Sequence, residues 1–185
     1  MNAYFTENKS QLHGLMIFSS LLMDIIVGCL FTYFLCAKQI SVWRIPLEFA
    51  LFYGIRFFCL TIFAIETPAG FYWEYPGFPS LTVPYGWTND FFYSGHSGAC
   101  VLCLCEFKSM GKRVDGLWRK CCFSLQTLSV LSLGFQVFLM LVTRGHYSID
   151  LISGAVFAHY CHLLALRCFP ERTAEPSTGQ TAAVV

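Results

Sequence analysis

Five long apolar stretches constrain this chain before any motif is considered. They run roughly from Leu12 to Cys36, Ile45 to Ile65, Asp90 to Phe107, Cys121 to Val142 and Tyr147 to Phe169. A helix needs about 20 largely apolar residues, within a range of roughly 17 to 25, to cross a hydrocarbon core. Each stretch fits, the third being the shortest. Only helices and closed barrels satisfy every backbone N–H and C=O inside lipid, and stretches of this length read as helices. The expected fold is therefore all-α, a polytopic membrane bundle of about five helices. Charge agrees, because only 12% of residues are charged, against roughly 25% in soluble domains. One domain over residues 1–169 is expected, followed by a polar, Thr- and Ala-rich tail, 170–185, expected to be disordered. The first stretch exceeds a signal-peptide core of about 7 to 15 residues, and no small-residue cleavage pattern follows it. The net charge of +1 argues against a nucleic-acid partner.

Basic residues orient the spans. Lys38 and Arg44 link the first two, while Lys108, Lys112, Arg113, Arg119 and Lys120 cluster between the third and fourth. Arg167 and Arg172 follow in the last span and tail. With alternating spans these segments share one face, which should be cytosolic, including the tail. The loop from Glu66 to Asn89 holds no Lys or Arg and belongs on the opposite, lumenal or exoplasmic face, with the turn Thr143–His146. Trp43 and Trp118 then mark the cytosolic boundary, Trp73 and Trp87 the other. The endoplasmic reticulum, Golgi and plasma membrane all suit such a protein. All ten cysteines lie in spans or toward the cytosolic side, so a disulfide framework is not expected. Cys100, Cys103 and Cys105 read as packing residues rather than zinc ligands, and no metal site is expected. Cys121 and Cys122, beside the basic loop, could carry palmitate, with plain packing the simpler reading.

Two Gly-His pairs stand out against this apolar background: "FFYSGHSG", Phe91–Gly98, and "TRGHYSID", Thr143–Asp150. The topology puts both at the same face, His96 about 9 Å into the third span and His146 at the end of the fifth. Asp150 follows His146 by four residues, a spacing that shares a helical face. A carboxylate there fixes one ring nitrogen and leaves the other aimed outward, the base-plus-orienter arrangement of nucleophilic catalysis. Arg144 offers a planar fork for phosphate oxygens, and Gly95 and Gly98 would let a substrate approach the backbone. This set suits phosphoryl transfer. An interfacial His and Arg that snorkel toward water would look the same, and residue types alone leave both readings open.

The wording of the motifs goes further. "SGH" followed by "HYSID" resembles the sphingomyelin synthase group of lipid phosphotransferases, relatives of the type 2 phosphatidic acid phosphatases. It is most similar to plant-type phosphatidylcholine:diacylglycerol cholinephosphotransferases, which share a "TRGHYxID" form of the last motif. The likeness covers roughly Arg56 to Phe169 and includes "TPAGF" and the aspartate of "DFFYSGH". It implies that His96, His146 and Asp150 form a catalytic triad working by double displacement through a phospho-histidine. A phosphocholine or phosphoethanolamine headgroup would pass from a glycerophospholipid donor to a lipid alcohol, diacylglycerol or ceramide. No cofactor is implied. Arg144, Asp90, Arg56, Ser94 and Tyr147 are the expected substrate-binding residues. Homo-oligomerisation is left open.

The phosphatases carry a KxxxxxxRP element and an arginine six residues before the last histidine. Neither occurs here, where Arg144 precedes His146 by two, which favours transfer over hydrolysis. A phosphatase and a catalytically silent homologue remain the alternatives. The resemblance also implies six spans, and the missing one would precede Leu12. Asp24 and Arg56 are expected near the midplane, facing the bundle interior and in one reading paired. Glu66 could assist the site from the loop. Tyr72, Trp73, Tyr75, Tyr85 and Trp87 could cage a quaternary ammonium or simply anchor the interface. His13, His159 and His162 lack a carboxylate at useful spacing and read as boundary or packing residues.

Overall fold

The computed structural model describes residues 7–36, 43–63, 65–83, 85 and 91–170. Among them are five helices and no strand: α1 (Lys9–Cys36), α2 (Arg44–Ile62), α3 (Gly95–Gly111), α4 (Gly116–Thr143) and α5 (Ser148–Cys168). Four of these, α1, α2, α4 and α5, are long and apolar enough to cross a membrane, so the all-α polytopic bundle is the observed architecture. Asp90 and the tail from residue 171 fall outside the described residues.

α3 departs from the expectation. It begins at Gly95 rather than Asp90, ends at Gly111, and is not among the four apolar spans. Its 17 residues measure about 25 Å. The reason is position: α3 packs against all four other helices. A helix sheathed by protein need not be apolar, so it can carry Glu106, Ser109 and a histidine in its buried surface. Around it α1 packs on α4 and α2 on α5.

The interior mixes large apolar side chains such as Phe52 and Phe107 with small and weakly polar ones, while the outside is largely apolar. Ser129, Ser132, Ala158 and Ala165 are buried, whereas Phe18, Ile25, Phe57, Leu131 and Val156 are exposed. This is the distribution of a membrane bundle, where close backbone approach rather than expulsion of water holds helices together. Gln136 of α4 reaches the Ser19 carbonyl of α1 at 3.2 Å, a cross-helix bond buried from all sides. The closest approach is between α3 and α5. A Cβ on Gly98 would sit 2.9 Å from the Gly154 carbonyl and 2.0 Å from the Phe52 ring, and one on Gly154 would sit 2.3 Å from the Ser94 carbonyl. Gly98 thus serves helix packing, not the substrate approach expected from its place beside His96.

At one end of the bundle lie the two histidine motifs, with loop residues 66–73 held against them. The other end carries Lys108, Lys112, Arg113 and Arg119, with Trp43 and Trp118 exposed beside them. Trp73 is not a belt residue; it packs inward on Tyr85 and His96. All ten cysteines are free thiols. Cys100 contacts Met23 and Ser132, while Cys105 faces His159.

Candidate active site

The two motifs are joined by backbone as well as by side chains. The Ser94 N–H donates to the Asp150 carbonyl at 3.0 Å, and the Ser97 hydroxyl to the Leu151 carbonyl at 3.1 Å. In return the Ser153 hydroxyl donates to the Phe92 carbonyl. Phe92 sits at φ 104°, a conformation a bulky residue rarely accepts. Stacking on Phe63, with centroids 4.3 Å apart, helps hold it there. Ser94 then N-caps α3 by accepting from Ser97 N, which satisfies one of the helix's free N–H groups. His96 is the second residue of α3, so it lies at the helix mouth rather than well inside a span.

α4 ends at Arg144, whose left-handed backbone (φ 52°) turns the chain toward His146. Gly145 is closely packed in this turn, where a Cβ would meet Thr143 Oγ1 at 3.0 Å and the Met140 sulfur at 3.2 Å. The His146–Asp150 contact is present, Nδ1 to Oδ2 at 3.4 Å and buried. Its cause differs from the expected one. His146 precedes α5, and Asp150 folds back as an N-terminal cap, taking the Tyr147 N–H at 2.8 Å with the same oxygen. The pair is made by a capping turn, not by one face of a regular helix.

His96 and His146 meet with ring centroids 6.2 Å apart. They are only 8% and 6% exposed. Neither ring nitrogen of His96 has a hydrogen-bond partner among the described residues, and Asp150 Oδ1 is likewise buried without one. Buried polar atoms are seldom left unpaired, so the site has hydrogen-bonding capacity available to a ligand. The Trp73 ring meets His96 edge-on at 5.5 Å, and it lies 3.8 Å from where a Gly145 Cβ would be. Trp73 therefore touches both histidine motifs.

The other expected residues are placed as follows. Arg56 is half-buried, donates from Nε to the Tyr93 carbonyl at 3.3 Å, and lies 3.2 Å from the position of a Gly95 Cβ. It is thus beside the mouth of α3, and the Asp24 carboxylate is bonded elsewhere. Asp24 instead holds the loop segment 80–82, which sequence counting could not foresee. Arg144 is exposed and donates to the Ala69 carbonyl. Tyr147 stacks edge-on with Phe91 and donates to the Glu66 carbonyl at 3.2 Å. Ser94 is fully buried in its capping role. Asp90 and Trp87 lie outside the described residues. Tyr72 bonds His13 Nε2 at 2.9 Å and Glu74 at 3.0 Å. Burial, then the Glu74 carboxylate, pushes its phenol above the ordinary range. Trp73 and Tyr85 lie tilted against each other at 5.3 Å, so these two rings contact one another rather than standing apart around an open cage.

A second ionisable cluster occupies the basic end. Arg44 grips Glu106 with two bonds, 2.7 and 2.8 Å, and also donates to Ser109 at 2.9 Å. His162 bonds Glu48 at 2.8 Å and approaches Glu106 at 3.3 Å. His162 is therefore not the unpartnered packing residue its local sequence suggests, because its carboxylates come from two other helices. Ligand atoms of Glu48, Glu106 and His162 all lie within 4.8 Å of one another, close enough to surround a cation. Arg44 already occupies both Glu106 oxygens, and the His162 ring bonds Glu48 while lying against Glu106. The arrangement works as an ion-pair clamp joining α2, α3 and α5.

A family model described as AtPDCT1/2 matches residues 17–167, a stretch containing both histidine motifs, Asp150 and Arg56. No curated protein and no solved structure was found to match the chain.

Proposed function

The chain belongs to the AtPDCT1/2 family, the phosphatidylcholine:diacylglycerol cholinephosphotransferases, and we propose that it moves phosphocholine from phosphatidylcholine to diacylglycerol at the His96–His146 pair. One observation carries the reading. Two buried histidines face each other, one backed by a carboxylate and the other with both nitrogens unengaged. Asp150 holds Nδ1 of His146, which leaves Nε2 as the nucleophile. Nε2 forms a bond to phosphorus as the bond from phosphorus to the glycerol oxygen breaks, and His96 delivers a proton to that oxygen. Diacylglycerol departs. The acceptor diacylglycerol then gives its hydroxyl proton to His96, its oxygen bonds to phosphorus, and the bond from phosphorus to His146 breaks. Each round returns both histidines to their starting state.

Arg56, beside the mouth of α3, is the cation best placed to offset charge on the phosphoryl oxygens. Arg144 supports the site through its turn and its hold on the Ala69 carbonyl. Asp90 is assigned to headgroup recognition through its motif alone. The Lys and Arg asymmetry supports placing the histidine end at the lumenal or exoplasmic face of an internal or plasma membrane.

The test is transfer in reconstituted vesicles, with phosphatidylcholine labelled in its headgroup and diacylglycerol or ceramide supplied separately. Label should appear in newly made phosphatidylcholine with diacylglycerol, and be lost in His96→Ala and His146→Ala. Label in sphingomyelin would reassign the acceptor. Release only of a water-soluble phosphate ester would make the protein a hydrolase.

A further inference from the structure

The loop after α2 does not stay at the end of the bundle. It covers the histidines with Trp73 and then descends along α1. Asp24 lies fifteen residues into that helix, about 22 Å from its start. Its carboxylate accepts from the Ser80 hydroxyl at 3.0 Å, Leu81 N at 3.1 Å, Thr82 N at 2.9 Å and the Thr82 hydroxyl at 2.6 Å. Depth can be fixed independently. Met23, next to Asp24, touches Cys100, one helical turn inward of His96. The segment 80–83 therefore sits deeper than the catalytic pair, with Val83 buried in the core cluster that contains Met23, Ile26, Ala99 and Cys103. Leu81 at its tip is 95% exposed.

Irregular backbone at membrane depth must have its N–H groups satisfied, and here one carboxylate does so for Leu81 and Thr82. The other part of the loop is fixed differently. Tyr72 N donates to the Thr143 carbonyl at 3.0 Å, Arg144 to Ala69 and Tyr147 to Glu66. These bonds tie residues 66–72 to the catalytic turn itself, so that part cannot move without dismantling the site. Between the two parts lies Gly77 at φ 89°, a backbone state open to glycine. Helices α1 and α2 both pack on α3, but they meet each other through Phe31–Phe49 and Phe34–Trp43, near the basic end.

We propose that the segment from Gly77 to Val83, latched by Asp24, is the lateral gate through which a two-chain phospholipid reaches His96 and His146 from the bilayer. This rests on the transferase reading for the identity of the lipid. In the latched form the histidines are covered and Trp73 touches both motifs. Releasing Asp24 swings the segment about Gly77 and opens the flank between α1 and α2 toward lipid, while residues 66–72 keep the catalytic turn in place.

The experiment closes the gate reversibly in the full chain. Asp24→Cys with Thr82→Cys is bridged by a short reducible bis-thiosulfonate, with each single-cysteine variant as control for the native thiols. Two readouts are taken in vesicles: headgroup transfer, and labelling of residues 91–98 by a phosphatidylcholine bearing a photoreactive headgroup. We expect bridging to lower both at least tenfold, and reductant to restore both. Undiminished transfer and labelling in the bridged protein would overturn the gate and leave the transferase reading intact. Loss of transfer with labelling retained would overturn it too, because access would not be what the bridge blocks. Labelling that depends on the bridge in a protein that never transfers would sustain the gate and sink the transferase reading.

Discussion

The two ends of this bundle each bury a histidine near carboxylates, and they differ in how far the histidine rings themselves are bonded. At the basic end His162 bonds Glu48 and approaches Glu106, which Arg44 grips with two further bonds. At the other end His146 has one long contact to Asp150, and His96 has no partner for either nitrogen. The basic-end cluster cross-links three helices through its ion pairs, although Glu48 Oε2 keeps no hydrogen bond among the described residues. An unsaturated pair costs stability in the resting protein and regains it when a substrate supplies the missing bonds. Residue type alone does not separate a structural histidine from a candidate chemical one; whether the imidazole ring is already bonded is the difference between His162 and His96.

The sharpest way to break this comparison is to remove one histidine from each end. His146→Ala should lower transfer by ~1,000-fold or more, since it removes the proposed nucleophile, with the thermal midpoint nearly unchanged. Steady-state transfer and a melting curve in the same detergent check both. Glu106→Ala should do the reverse. It leaves Arg44 buried without its main counter-charge, and losing one partner of a buried pair costs about 3–5 kcal/mol. Denaturation should show that loss, while the rate per folded molecule stays within a few-fold of wild type.

Smaller effects sharpen the picture at the joint between α3 and α5. Gly154→Ala places a methyl 2.3 Å from the Ser94 carbonyl, and overpacking of this kind costs about 1–3 kcal/mol. Because Ser94 opens the helix that carries His96, transfer should fall as well. Ser97→Ala removes one buried hydroxyl bond to Leu151, worth about 1 kcal/mol. It should alter stability slightly and the rate hardly at all. A Ser97→Ala rate loss as large as that of Gly154→Ala would mean that the hydroxyl has a role in chemistry.

How much of this was legible in the residues depends on where each partner lies. The four apolar spans and the meeting of the two motifs at one end follow from hydrophobic length and alternation, which act along the chain. α3 starts later than its apolar stretch suggests because Phe91–Ser94 is as apolar as the helix it precedes, while the backbone there is bent through Phe92. His146 and Asp150 do touch, as their spacing suggests, yet through a capping turn. The contacts of Asp24, Arg56 and His162 are hard to read from the sequence for a common reason. Their partners are a loop that dips into the bundle, a carbonyl at the mouth of another helix, and glutamates on two other helices. No local pattern encodes those. Charges counted along a helix give depth but not the neighbour that compensates them.

The most direct measurement compares His96→Gln with His162→Gln in parallel, reading headgroup transfer per folded molecule and the unfolding midpoint. The account predicts that His96→Gln abolishes transfer and leaves the midpoint in place, whereas His162→Gln lowers the midpoint and leaves transfer nearly intact. If His162→Gln abolished transfer in a protein of unchanged stability, or His96→Gln retained it, the assignment of chemistry to the His96–His146 end would be wrong.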